Sequence, residues 1–269
     1  MSEAFFERDG EEFVPTELTR GPWDPDAQHA GPPAALLGRA IERTGSEVAG
    51  AGADEPPARV GRVTYEILRS VPIAPLTVST RVVRPGRRVE LVEALLSDRE
   101  GEVMRATAWR LRPQPVELPA GLPRRDPPPG PEAGSERDFF PTGEAVGYHT
   151  AMEYRFVAGA FVDPGPATVW MRMRHPLIAG ERASALQRVL IAADSGNGVS
   201  ATLDWRRYLF INVDLTVQLH RLPEGEWVCL DAITIPEPTG VGVADTALHD
   251  ERGPIGRASQ TLLVAERDG

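Results

Sequence analysis

The sequence predicts an α+β protein built from two copies of one unit, a short apolar helix followed by an antiparallel sheet. Residues 29–41 (HAGPPAALLGRAI) and 184–198 (SALQRVLIAADSGNG) both read as apolar helices, and each precedes four β-like stretches separated by Gly-, Pro- or Asp-rich turns. The copies differ in one respect. Only the second sets a carboxylate, Asp194, at the tail of its helix, where SGNG is expected to break it. With 269 residues and 41% hydrophobic content the chain is long enough for two units and rich enough for a sizeable core.

The first copy is expected to span residues 1–112. Residues 11–20 read as an opening strand, and GPWDPDAQHAGPP is a loop leading into the helix. Pro32 and Pro33 suit its first turn, where a backbone N–H has no intrahelical acceptor. The helix then runs to about Thr44. Its small residues (Ala34, Ala35, Gly38, Ala40) alternate with Leu36, Leu37 and Ile41, so a sheet can approach it closely on several sides. A loop rich in Gly, Ala, Pro and acidic residues follows at 45–58. Strands are expected at 59–69, 76–84, 87–98 and 102–112; Val89 and Leu91 alternate with Glu90 at the start of the third, and Val103, Thr107, Trp109 and Leu111 alternate with shorter partners in the fourth, as in half-buried antiparallel strands. Tight turns at 84–87 (RPGR) and 98–101 (DREG) make a meander the economical topology.

Residues 113–143 include PQPVELPAGLPRRDPPPGPEAG, which suits neither a helix nor a sheet ladder and reads as an extended linker. The second copy, 144–269, repeats the plan. It has strands near 148–158 and 166–174, a helix at 182–194, and strands near 206–220, 226–236, 240–249 and 254–267. In YLFINVDLTVQL an unbroken strand would put Leu209, Ile211, Val213, Leu215, Val217 and Leu219 on one face. Tyr208, Phe210, Asn212, Asp214, Thr216 and Gln218 would share the other.

Composition removes several classes of function. The formal net charge is −10, so a nucleic acid or an anionic membrane surface would be repelled over most of the surface. All 29 basic residues are Arg, which excludes a Lys nucleophile, a Schiff-base lysine and a P-loop lysine. The single cysteine, Cys229, lies in the apolar run WVCLDAI and reads as a small buried hydrophobe. The acidic N-terminus is unlike a signal peptide and there is no run of 18 apolar residues, so no membrane span and a cytoplasmic location are expected. The five histidines have no paired ligand spacing, and PTGVGV does not introduce a helix, so neither a metal nor a dinucleotide site is expected.

Two helices each clasped by an antiparallel sheet describe a double hot-dog. The helix entry HAGPPAALL, the helix ending AADSGNG, and the strands INVDLTVQLHR and ASQTLLVAER, in that order across a duplicated frame, resemble the acyl-CoA thioesterase-like superfamily of tandem hot-dog proteins, the TesB-like or acyl-CoA thioesterase II type. The resemblance covers nearly the whole chain. It implies a role in lipid metabolism, with hydrolysis of acyl-CoA or related acyl-carrier thioesters by a water held by an Asp, a hydroxyl residue and a Gln from the second hot-dog. The two halves would pack side by side with an acyl channel between them, and no cofactor is implied. Further pairing into a homodimer of double hot-dogs is open.

Asp194 matches the family Asp, and desolvation at a buried helix end would raise its pKa toward the range of a general base. The bland reading of Asp194 is a residue that only bonds the SGNG turn. Asn212 stands where the family has Thr, and Gln260 is the candidate for the family Gln, two residues early when counted back from Arg267. The helix amino end near Gly31 would supply the oxyanion donor, because Pro32 and Pro33 have no N–H. His29, just before it, is either a general base or a loop hydrogen-bonding residue. Ser195 and Asn197 are candidate substrate contacts, with Ser195 otherwise a turn residue because no GxSxG elbow surrounds it. Arg172, Arg174, Arg206 and Arg207 are candidate phosphate contacts or a solvated strand edge. A non-catalytic acyl-ligand binding protein is the alternative function. A hydratase ranks last, because no Asp–His pair follows either helix.

Overall fold

The computed structural model describes residues 3–45, 57–122, 126–139 and 141–267. The first half contains β1 (Phe6–Asp9), β2 (Glu12–Pro15), α1 (Gly31–Arg43), β3 (Arg59–Ile67), β4 (Thr77–Arg84), β5 (Val89–Asp98) and β6 (Gly101–Leu111). The second contains α2 (Tyr148–Ala151), β7 (Met152–Ala160), β8 (Asp163–Met173), α3 (Ala185–Ala193), α4 (Gly196–Val199), β9 (Tyr208–Asn212), β10 (Asp214–Leu219), β11 (Val228–Pro236), β12 (Val241–Asp250) and β13 (Gly253–Glu266). Among the described residues the longest helix has 13 residues, and no helix is long and apolar enough to cross a membrane. Most of the expected loop at 45–58 lies outside the described residues, as do residues 123–125 and Phe140 of the linker.

The strands form a small β1–β2 ribbon and one antiparallel sheet in the order β4-β5-β6-β3-β10-β13-β12-β11-β8-β7, with β9 also paired to β13. Outward from the β3–β10 seam the two halves mirror each other: β3, β6, β5, β4 on one side and β10, β13, β12, β11 on the other. At the seam Thr64 pairs with Thr216, and their hydroxyls lie 3.2 Å apart. The duplicated helix-plus-sheet unit read from the sequence is thus two halves sharing one sheet, an α+β double hot-dog.

Both helices lie against one face of this sheet. α1 buries Pro32 to Arg39 and Ile41, and α3 buries Leu186, Gln187 and Val189 to Ala193. The small residues of α1 allow the close approach that the sequence anticipated. A Cβ at Gly31 would stand 2.4 Å from the carbonyl oxygen of Ile191, and one at Gly38 would stand 2.2 Å from Leu190 Cδ1. Ser184 caps α3 by accepting from the Gln187 N–H at 3.1 Å. The described linker residues carry a turn at 120–121 and a 3-10 turn at Pro131–Ala133, and they seal the β7–β8 edge by pairing Ser135 with Phe156 and by accepting the Trp170 indole N–H at Pro129 O, 2.8 Å.

Three local expectations are corrected. The opening strand is only Glu12–Pro15 and gives way to a 3-10 turn capped by Thr16. The SGNG segment does not end the helical path: Asp194 and Ser195 keep right-handed helical backbone, and α4 adds a further turn. The strand expected at 206–220 is two strands. Asn212 pairs with Leu262 but Thr216 pairs with Ser259, which leaves one extra residue on the β9–β10 side. That bulge at Val213 reverses the alternation. Phe210 is buried while Ile211 and Val213 are 36% and 48% exposed, and beyond the bulge Leu215, Val217 and Leu219 are buried. Asn212 therefore shares the helix-facing side with Leu215 rather than the outer side with Thr216.

Candidate active site

α1 and α3 pack together with the amino end of α1 beside the carboxyl end of α3. Asp194 follows the last residue of α3 and is only 4% exposed. The α3 carbonyls repel its charge, whereas the N–H groups of Ala30 and Gly31 at the start of α1 are directed at it. Asn212 Nδ2 donates to Asp194 Oδ1 at 2.9 Å. Gln260, 2% exposed on the inner face of β13, donates through Nε2 to the Asp194 backbone oxygen at 3.0 Å and to Oδ1 at 3.3 Å. His29 Nδ1 lies 3.1 Å from Oδ2. Desolvation is the largest influence on this carboxyl group and outweighs its donors, raising its pKa from 3.8 to about 7.

All seven sequence-derived site residues meet here. Gly31 donates its N–H to His29 Nδ1 at 3.0 Å, so the amide expected to face a substrate oxyanion is turned inward onto the His29–Asp194 pair. Asn212 and Gln260, expected to hold a water, donate directly to the carboxylate. Asn197 donates its backbone N–H to Gln260 Oε1 at 3.0 Å and its side-chain amide to the Phe210 carbonyl at 3.1 Å, which ties α4 to β13 and β9. Gly196 is needed for space rather than for backbone conformation: a Cβ there would lie 2.6 Å from Thr246 Oγ1 and 3.0 Å from Gln260 Oε1.

Tyr148 was not marked by the sequence, which assigns it to the start of a strand. Its ring stacks on His29 with centroids 3.8 Å apart and planes 11° from parallel. Its hydroxyl lies 2.7 Å from the Ile191 carbonyl oxygen and 3.0 Å from Ser195 Oγ. A carbonyl can only accept, so the one tyrosyl proton goes to Ile191 and Ser195 donates its own proton to Tyr148. Ser195 thus has no base at its hydroxyl. The sequence offers little signal for Tyr148 beyond a polar GYHT interruption ahead of an apolar strand.

A cleft of about 450 Å³, counted to its open mouth, begins at this cluster. Trp23, His29, Tyr148, Phe161, Ser195 and Asn197 are among its lining residues, so both halves contribute. The expected channel between the halves is accordingly a cleft at the end of α3, walled by aromatic loop and strand residues rather than by the apolar faces of the helices. Asp194 does not line it and lies one layer deeper, in contact with His29. Burial lowers the His29 pKa to about 3, so its imidazole is neutral. Of the candidate phosphate contacts, Arg172 is paired with Glu153 and stacks on Trp227, and Arg174 is paired with Glu136. Arg206 lines a second hollow that shares Phe161 with the cleft and stacks on Trp205, and Arg207 stacks on Tyr208.

Comparison with known proteins bears on the family and the fold. Sequence models of the acyl-CoA thioesterase N-terminal and C-terminal domains match residues 19–111 and 120–264 in tandem. No curated protein matches the chain at a significant level. Among solved structures, the chain is similar to a candidate thioesterase II from Thermobifida fusca (TM-score 0.72, 18% identity, 97% of this chain and 95% of that one). It is also similar to a hot-dog protein of unknown function from Alicyclobacillus acidocaldarius (TM-score 0.70, 14% identity, 98% and 96%). A third likeness is to an acyl-CoA thioesterase II, TesB2, from Mycobacterium marinum (TM-score 0.61, 12% identity, 98% and 95%). At these identities the structures speak to the fold, and the paired domain matches speak to the lineage: the chain belongs to the acyl-CoA thioesterase family of hydrolases.

Proposed function

We propose that the chain hydrolyses acyl-CoA thioesters in the cleft beside the end of α3, with Asp194 supplying the negative charge that activates the attacking water. The observation that carries this reading is a buried carboxyl group whose pKa of about 7 lets it exchange a proton near neutrality. Asn212 and Gln260 hold Oδ1, which leaves Oδ2 for His29, the member of the pair that lines the cleft. Gly31 orients the same pair through its amide. Ser195 and Asn197 form the floor on which the thioester would rest, and the aromatic walls suit an acyl chain. Replacing the family hydroxyl by Asn212 keeps a donor on the carboxylate, so the variant set still holds the base in place.

The test is free-thiol release from short, medium and long acyl-CoAs by the wild type and by Asp194→Asn. Turnover should fall by about 10²–10⁴ in the variant, the range of a positioned proton transfer, and the panel would name the preferred chain length. Equal turnover in both proteins would remove Asp194 from the mechanism. Saturable binding without turnover in the wild type would make the chain an acyl-CoA binding protein.

A further inference from the structure

Asp194 holds the negative charge, but His29 is the member of the pair that reaches the cleft. We propose that His29 is the catalytic base, taking the proton of the attacking water on Nε2, and that Asp194 acts through it by holding its tautomer. This rests on the thioester-hydrolysis reading above and assigns the proton transfer within it.

The geometry separates the roles. His29 lines the cleft and Asp194 does not. The stack on Tyr148 fixes the plane of the imidazole, and the contact to Asp194 Oδ2 fixes its rotation. Nδ1 faces Asp194 and the Gly31 N–H, while Nε2 has no hydrogen-bond partner among the described residues. The ionisable groups around the ring are Asp194 from the end of α3, Tyr148 and His149 from α2, and Arg20 from the loop ahead of His29. Arg20 is already paired with Glu144.

Proton counting gives the switch. With Asp194 protonated, its O–H is the donor between Oδ2 and Nδ1. The neutral ring then carries its own proton on Nε2 and cannot accept another. With Asp194 ionised, a hydrogen bond between Oδ2 and Nδ1 requires the ring proton to be on Nδ1, and Nε2 presents a lone pair to the cleft. The Gly31 N–H, which points at both groups, then donates to the carboxylate. In the reaction a water O–H bond breaks, its proton goes to Nε2, and its oxygen bonds to the thioester carbonyl carbon. As the tetrahedral adduct collapses the C–S bond breaks and the Nε2 proton passes to the departing sulfur, so thioester and water become carboxylic acid and thiol with nothing left over. Burial disfavours the imidazolium, so it forms only transiently, and the Asp194 carboxylate and the Tyr148 ring beside it offset part of that cost.

Kinetics of His29→Gln, His29→Ala and Asp194→Asn on an acyl-CoA that the wild type turns over test the assignment. His29→Gln should lose about 10²–10⁴ in kcat with little change in KM, and added imidazole should restore part of the activity of His29→Ala but none of Asp194→Asn. A His29→Gln enzyme within threefold of wild type beside an inactive Asp194→Asn would overturn the proposal and leave the hydrolysis reading standing, with Asp194 acting on water directly. A wild type that releases no thiol from any acyl-CoA would overturn both. A second measurement does not depend on the variants' folding. The ¹⁵N shifts of His29 in the histidine-labelled wild type should pass from the Nε2–H to the Nδ1–H tautomer as Asp194 ionises near pH 7, and one tautomer throughout would also sink the idea.

Discussion

Asp194 is held in the folded chain at a free-energy cost that depends on pH. Its pKa is raised from 3.8 to about 7, chiefly by desolvation, so between those values the folded state binds a proton that the unfolded state has lost. Stability therefore falls as pH rises through this window, and above pH 7 the full penalty applies, roughly 4 kcal/mol as an upper figure. Below pH 3.8 both states are protonated and the penalty vanishes. An asparagine in its place imitates the protonated acid: its oxygen can accept from Asn212 and Gln260, and its amide can donate to His29 Nδ1. Asp194→Asn is thus expected to raise the Tm by several degrees at pH 8.5 while lowering turnover by about 10²–10⁴, and the gain should shrink toward pH 5. Thermal melts of both proteins across pH 5–9 would check it. A Tm difference that does not change with pH would mean that Asp194 is not desolvated in the way described.

The backbone that presents this carboxyl group depends on two departures from regular structure, and both show what a single sequence can and cannot reveal. The bulge at Val213 turns Asn212 inward, and the continuation of α3 into α4 brings the Asn197 N–H onto Gln260. Gly196 is the tightest point of the second device, wedged between Thr246 and Gln260, which are both nearly inaccessible. Gly196→Ala should displace the Gln260 amide, remove a donor from Asp194 and move the ascending limb of the kcat/KM–pH profile to higher pH, with activity at pH 7 several-fold lower. An unshifted limb would show that Gln260 does not tune the carboxyl group. Strand and helix positions in most of the chain are legible in the sequence, because period-two alternation, turn residues and the Pro32–Pro33 helix start are local signals; β3 to β6 and β11 to β13 begin and end within two residues of their expected limits. The bulge is not legible, since the extra residue at Val213 shows only against the register of the partner strand β13. The glycines of SGNG read as breakers because that is their commoner use, whereas Gly196 is required by a long-range approach. Asp194, Asn212 and Gln260 are candidates through the family resemblance, but the inward turn of the Gly31 amide and the stacking of Tyr148 on His29 arise only from packing the two halves together.

Duplication raises the question of how many sites the molecule keeps. The mirrored strand order relates β13 to β6 and β12 to β5. With Thr216 paired to Ser259 and Thr64 to Thr107, Gln260 corresponds to Ala108, and its neighbour Ala244 to Val92. The first half therefore lacks the glutamine. The helix ends also differ in sign. At the carboxyl end of α1, Arg110 Nη1 donates to the Ile41 and Thr44 carbonyls at 2.8 and 2.7 Å and Nη2 lies 2.8 Å from Glu90, a buried cation satisfying the end of the helix dipole. At the carboxyl end of α3 the corresponding place holds a carboxyl group, Asp194, which faces the α1 amino end, His29 and the amides of Asn212 and Gln260. The carboxylate nearest the opposite end, Glu42, accepts from Ser184 Oγ at 2.7 Å and Gln187 Nε2 at 3.3 Å, and so supports the start of α3. One half has a structural cap at its end of the helix pair while the other has a destabilised carboxyl group, which is the asymmetry expected if the proposed chemistry belongs to one half alone. Calorimetric titration with a non-hydrolysable thioether analogue of an accepted acyl-CoA should accordingly saturate at one ligand per 269-residue chain, and His29→Gln should leave that stoichiometry unchanged. Two equivalents per chain would mean that the Arg110 end also binds acyl-CoA, and that the duplicated halves divide the work by substrate instead of by structure and chemistry.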